Sequence, residues 1–508
     1  MYTFSQRLKT SAFILIALGL VGIVYGFLST PKTIEDVEKI VAAAHHEGHG
    51  GHGGHATAAS HDTHATPNHE AHAAKPEAHQ EATHKTEDAH AVSHDTTHVA
   101  ATDSIAQPVA APETAKKTLN VVPKKEKHID PAVAHKEHIE HVMHQLQNKP
   151  WAALYVACIF FLLVTMGALA FYAIQQVAQA GWSPVLFRVM QGITAYLPVG
   201  SIIFFGLLLA SGLHMNHLFT WMEEGVTKPG SPNYDALIAG KSGYLNFGFW
   251  IIRAAVFLLG WNLYRYFSRK NCLAQDEASD DAYYKKNFKL SATFLVFFIV
   301  SESIMAWDWI MSLDPHWFST LFGWYVFASF FVSGITTISM VTLYLKSKGY
   351  LEYVNSSHIH DLSKFMFGIS VFWTYLWFSQ FMLIWYANIP EEVTYFVTRI
   401  NDYTLPFWGA VGLNFVFPFL TLINTDFKRV APIVVTAGVV ILFGHYIDFF
   451  NMIMPATVGD QWFIGVSEIS SVLFFLGLFI LVVFNALTKA PLTPKRNPFM
   501  EESKHFHY

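Results

Sequence analysis

Ten stretches of about twenty mostly apolar residues recur along this chain of 508, and a helix of that length covers the roughly 30 Å hydrocarbon core of a membrane. They run Ser11 to Ser29, Trp151 to Gln175, Leu186 to His214, Leu245 to Tyr266 and Leu290 to Met311. Leu321 to Leu345, Phe365 to Tyr386, Tyr403 to Ile423, Val430 to Met454 and Ile464 to Leu487 complete the set. In lipid the backbone must satisfy its own hydrogen bonds, which leaves a helical bundle as the fold for such segments. Composition agrees, since 52% of the residues are hydrophobic and only 14% are charged, against about a quarter charged in soluble domains. The expected class is an all-α polytopic membrane protein with ten transmembrane helices. The first stretch follows Arg7 and Lys9 as a signal peptide would. It ends in Ser29-Thr30-Pro31-Lys32 without a small-residue cleavage motif, so it reads as a retained anchor.

Lys and Arg favour the cytoplasmic side of short loops. With the N-terminus cytoplasmic, the inner segments and tails hold 18 of them, and the outer short loops hold Lys228, Lys241 and Arg399. Both termini are therefore expected on the cytoplasmic side. The implied organisation is an end and first span over 1–30, a His-rich periplasmic loop over 31–130, and a helix over 131–150 leading into the second span. A nine-helix membrane domain over 151–488 and a cytoplasmic tail over 489–508 follow.

Nineteen of the 27 histidines lie between His45 and His144. His45, His46, His49, His52 and His55 open a Gly/Ala/Thr/Pro/Glu/His run with no apolar periodicity, which predicts disorder. Imidazole binds zinc, copper and nickel, so a metal-collecting tether is one reading. A solvated linker outweighs it, because no fold fixes the ligand spacing there. From Pro131 to Trp151 the pattern turns helical. His135, His138, His141 and His144 then form a slowly turning stripe, either a solvated face or a docking stripe.

Ionisable groups inside hydrocarbon are costly and so are functional candidates. The fourth span carries Arg253, the fifth Glu302 and Asp308, the ninth His445 and Asp448, and the tenth Glu468. His214 and His217 end the third. By the expected topology all lie between the bilayer centre and the outer surface, and the inner half offers only Gln191, Thr336, Thr337 and Asn414. A carboxylate and imidazole cluster open to the outside suits a quinol site, where a base accepts the hydroxyl proton, or a proton exit. The plainer alternative is a brace in which Arg253 pairs with Glu302 or Glu468. Glu302, Asp308, His445 and Asp448 form the first tier of candidates. His214, His217, Arg253 and Glu468 form the second.

Cys158 and Cys272 are too few for a disulfide framework, a thiolate metal site or an iron–sulfur cluster. No Cys-x-x-Cys-His occurs, and only His214, His217 and His445 are read in or beside spans, so the chain is expected to bind no redox cofactor of its own. A net charge of -5 gives no basis for nucleic-acid binding.

Several segments carry a resemblance. They are Met1 to Ser5 with its single anchor, Asn148-Lys149-Pro150-Trp151-Ala152-Ala153-Leu154-Tyr155-Val156, Gly181-Trp182-Ser183-Pro184-Val185-Leu186-Phe187-Arg188, and Trp307-Asp308-Trp309-Ile310-Met311-Ser312-Leu313-Asp314-Pro315. Over essentially its whole length the chain resembles the ActF-type membrane subunits of bacterial alternative complex III, a quinol:cytochrome c oxidoreductase. These belong to the NrfD-like, or polysulfide-reductase membrane-subunit, superfamily. The resemblance implies a pair of four-helix bundles with flanking helices and menaquinol as the electron donor. The partners implied are an ActC-like homologous membrane subunit, iron–sulfur and multihaem cytochrome c subunits, small membrane subunits, a terminal oxidase and membrane lipids. Asp308, followed by the aromatic, Thr and Pro loop to Phe322, is similar to the family's site-bearing segment. Gly444-His445-Tyr446-Ile447-Asp448-Phe449 stands where the related subunit has a Gly-aromatic-Glu-Arg run. Here the acid is Asp and the Arg is replaced by Phe, and the family places the clearer quinol site in the ActC-type partner. That implies proton conduction or release, or scaffolding, for this chain. A metal-cation transporter is the remaining competitor, but only Glu302 approaches the midplane depth such pores need.

Overall fold

The computed structural model describes residues 1–47 and 131–507, with backbone alone for 42–47, 131–134 and 137. Among the described residues every regular element is helical. Ten helical segments are long and apolar enough to cross a membrane, as in a multi-pass membrane protein. The expected linker residues from 48 to 130, His49, His52 and His55 among them, lie outside the described residues.

The N-terminal span is α1 (Gln6–Leu28), followed by α2 (Ile34–Glu47). The loop expected over 31–130 is therefore helical where it begins. Thr33 receives the backbone N–H of Asp36 at 3.3 Å and donates to its carboxylate at 2.7 Å, which starts the helix. Ile34, Val37 and Val41 repeat at helical spacing, and Val37 buries itself against Ile139 and Val142. The second span is α3 (Pro131–Val177), 47 residues, or about 70 Å at 1.5 Å per residue. It absorbs the helix expected over 131–151 and continues through Pro150 without a break.

The third span combines α4 (Phe187–Ile193) and α5 (Leu197–Gly212), and the short α6 (Ala236–Lys241) lies in the segment that follows. Then come α7 (Phe247–Gln275), α8 (Ala282–Trp309), α9 (Phe322–Ser347) and α10 (Ser356–Ala387). Because α10 starts earlier than hydropathy indicates, His358 and His360 ride on a span and correct the count of three span histidines. After α11 (Pro390–Asn401), the eighth span is α12 (Thr404–Val411), a π turn at Gly412–Val416, and α13 (Phe417–Leu422). Pro418 lacks the N–H that Asn414 C=O would accept, and the N–H of Phe417 bonds Gly412 C=O instead, which widens the turn. The chain closes with α14 (Ala431–Val458), α15 (Val466–Leu487) and α16 (Met500–Lys504).

Two rings of four helices share a wall. Helices α3, α5, α7 and α8 pack in turn on one another. So do α9, α10, α12 with α13, and α14. The wall is α3 against α9, the two most buried spans. Their crossing is tight because both contribute glycine: a Cβ on Gly334 would stand 2.5 Å from the Ala168 nitrogen. Outside the rings α15 packs on α3 and carries α1, whose buried Gly19, Gly22 and Gly26 meet Phe474, Ser470 and Ser467.

Both chain ends pack at one end of the bundle, where Thr3 Oγ1 stands 2.7 Å from Tyr350 OH and Asn355 donates to Phe506 O at 2.6 Å. The far end gathers α2, α6, α11 and the start of α3. There Asn148 donates to Thr457 O at 3.4 Å, capping carbonyls that α14 leaves free.

Candidate functional site

The polar span residues divide into two centres, one in each ring. In the first, Asp308 sits at the end of α8 and Arg253 one turn and a half into α7. Nε of Arg253 donates to Oδ2 at 2.6 Å and Nη2 to Oδ1 at 2.9 Å, a bidentate pair with the carboxylate wholly buried. Arg253 also donates to Tyr244 O at 3.3 Å and lies over the rings of Tyr244 and Phe249 at 4.0 and 4.2 Å. Burial, then the charge of Asp308, pushes the Tyr244 phenol above its ordinary range. Trp250 Nε1 and Ser312 Oγ donate to the Asp308 carbonyl, at 2.8 and 2.6 Å, and so tie off the helix end. Arg253 thus braces Asp308, where the sequence suggested Glu302 or Glu468 as its partner. Every oxygen of this carboxylate is occupied by a fixed cation, which suits structure rather than proton transfer.

The second centre lies in the α9–α10–α14 core. Asp448 accepts from Tyr325 OH, from Ser329 Oγ at 2.9 Å and from Trp373 Nε1 at 2.9 Å. Three donors suit an ionised carboxylate, which can only accept. Ser329 spends its proton on Asp448, so its contact with His445 Nδ1 at 2.9 Å requires Nδ1 to donate. That fixes the tautomer and leaves Nε2 of His445 as a buried lone pair with no partner among the described residues. His445 and Asp448 face each other at 3.8 Å, one turn apart on α14, and Trp373 stands edge-on to the imidazole. All of these side chains are within a few per cent of complete burial.

Unpaired polar atoms extend from this centre in both directions. Toward the far end, Asp448, Gln380, Tyr395, Arg399 and Asn451 line a void of about 10 Å³, near the threshold for one water. Arg399 is held there for a local reason: Pro455 has no N–H for Asn451 C=O, and Arg399 Nε supplies one at 3.0 Å. Burial pushes the adjacent Tyr395 phenol up. Toward the chain ends, Asn414, Ser370 and Thr336 are buried in the same ring with side-chain atoms that lack partners among the described residues. A Cβ on Gly444 would collide with Asn414, so this glycine is what lets the π turn lie against α14 beside His445.

The other candidates stand apart from this cluster. Glu302 accepts from Ser303 Oγ at 2.6 Å and keeps Oε2 buried without a partner among the described residues. Glu468 caps its own helix by accepting from Gly465 N at 2.9 Å. His214 and His217 lie beyond the end of α5, exposed at the far end. Tyr325, Ser329, Trp373, Gln380 and Arg399 were missed by the search for ionisable span residues. A legible signal existed, since Tyr325, Ser329 and Ser333 recur at i+4 along one face of α9. Arg399 read only as a loop charge.

No protein-family model matches the chain, and no curated protein matches it.

Proposed function

We propose that the chain is an integral membrane subunit of a quinol:cytochrome c oxidoreductase of the alternative complex III type, with the Asp448 centre as its proton-handling site. The observation that carries this reading is the Tyr325–Asp448–Ser329–His445 chain. It couples a carboxylate to an imidazole whose free Nε2 can take a proton, inside a ring with further unpaired polar groups on either side. A proton reaching Nε2 makes the ring cationic. Ser329 and Asp448 stabilise that state without moving, and Nδ1 can then give up its proton through the Ser329 hydroxyl. The paired four-helix rings with α1 and α15 outside them agree with the NrfD-like layout that the sequence resemblance implies. In that reading the termini are cytoplasmic, the far end faces the periplasm, and menaquinol is oxidised beside an ActC-like partner. The iron–sulfur and multihaem cytochrome c subunits carry the electrons.

A scaffold role is favoured by a specific observation for the first ring only, where Arg253 neutralises Asp308. The two readings therefore apply to different rings. Purification of the tagged chain from its native membrane tests the assignment. The expected result is co-purifying c-type haem with quinol-dependent cytochrome c reduction; a colourless chain without partners contradicts it.

A further inference from the structure

The far end holds a second polar feature that the proton-handling reading does not use. A cavity of about 730 Å³ is lined by His141 and His144 on the third and fourth turns of α3, by His214 and His217 after α5, and by Glu223 and Glu224. The four imidazoles thus form two i,i+3 pairs facing one space, and all are exposed. The rings of His144 and His217 are already close, with centres 5.6 Å apart and planes at 76°. Two imidazoles sharing one tetrahedral ion, at metal–nitrogen distances of about 2.0–2.1 Å, place their ring centres roughly 5 Å apart.

Both members of that pair are held from behind. Asn148 donates to His217 O at 3.0 Å and accepts from His217 N at 3.0 Å, which clamps that residue to α3 one turn below His144. His214 adopts a left-handed backbone with φ 57°, uncommon for a residue with a side chain. Gln145 Nε2 donates to His141 Nε2 at 3.0 Å, a bond that occupies that ring's lone pair and must be given up before His141 can ligate. As the side chains stand, no three His, Cys, Asp or Glu groups among the described residues converge on one point.

We propose that this cavity binds one divalent transition-metal ion of the zinc class through His144 and His217. His141 or His214 supplies the third nitrogen, and a Glu223 or Glu224 carboxylate or water takes the fourth place. Imidazole and carboxylate together suit borderline ions rather than calcium or magnesium. The site does not depend on the proton-handling assignment, so either can fail alone.

The test is titration of the purified full-length chain with Co²⁺ and Zn²⁺, comparing wild type with H144Q/H217Q and with the control H135A/H138A. The histidine run from His45 offers further imidazoles to added metal, so the readout is the difference between proteins. Wild type and the control should bind one equivalent more than H144Q/H217Q, at least ten-fold more tightly, with the visible spectrum of tetrahedral Co²⁺ at that equivalent. The same stoichiometry and spectrum in H144Q/H217Q would assign all binding to the histidine run and overturn the proposal. Unchanged elution and helicity of the double variant exclude misfolding as the cause of a loss.

Discussion

Asp308→Asn tests whether the first ring is held by its ion pair. The substitution keeps shape and removes the charge opposite Arg253, whose guanidinium is 9% exposed and makes contacts of 2.6 and 2.9 Å to a carboxylate with no exposure. The amide oxygen can keep one of those bonds, while its NH₂ now faces a cation. Leaving one member of a buried pair uncompensated costs about 3–5 kcal/mol. Arg253 retains Tyr244 O at 3.3 Å and the Tyr244 and Phe249 rings, contacts that support a buried cation by about 0.5–2 kcal/mol. The expected loss is therefore near the lower bound, about 3 kcal/mol, or roughly a hundred-fold in the folding equilibrium. Removing both charges together, as R253L/D308L, should recover most of that loss, because an apolar pair of similar volume is neutral or stabilising in such positions. Unfolding in mixed micelles, followed by the fluorescence of the neighbouring tryptophans, measures both. A single variant within about 0.5 kcal/mol of wild type, or a double variant less stable than the single one, would refute the brace.

Three further outcomes follow from particular contacts. Arg399→Met should destabilise the far end, and Pro455→Ala should recover about 1 kcal/mol of the loss by restoring the helical N–H to Asn451 C=O; additive unfolding energies in the double-mutant cycle would disprove that link. Asp235 accepts the N–H groups of Ile238 and Leu237 and contacts His316 Nε2 at 2.7 Å; the helix-start bond from Ile238, then His316, holds its carboxyl below the ordinary value. Its contribution is thus complete above the unfolded carboxyl pKa of about 3.9 and lost as pH falls through the lower folded value, so the hydrogen-exchange protection of α6, relative to the free-peptide rate at each pH, should hold from pH 7 to 5 and fall only near pH 4 and below. Gly477→Leu should release α1, because a Cβ there stands 2.7 Å from Ala12 O, and a disulfide engineered between α1 and α15 should then form poorly while the rings stay intact.

Much of the architecture was readable because a membrane simplifies the rules. Apolar length alone located ten spans, and the failures fell where other forces act. Thr33 and the Val37 packing made a helix where composition indicated a linker. The Ser356 to Lys364 turns are polar yet helical, because Asn355 caps them by accepting the N–H of Ser357 at 2.9 Å. Asp448 and His445 were recognisable as a pair from their spacing. Their partners were not, since Tyr325, Ser329 and Trp373 come from two other helices and a single sequence does not say which spans adjoin. The same ignorance assigned Arg253 to the wrong acid. Asn414 was legible as a polar group in the inner half of its span, but its place beside His445 depends on Pro418 opening a π turn against Gly444.

The most direct test of the proposed proton-handling centre is proton release per electron in the purified complex carrying Asp448→Asn, with Asp308→Asn beside it. The amide cannot balance a protonated His445, so quinol-driven cytochrome c reduction should slow by about 10²-fold or more, with proton release falling in step. Asp308→Asn should lose stability yet keep its proton yield per turnover. Wild-type rate and proton yield in a folded Asp448→Asn complex would contradict the central claim and leave both rings as scaffold.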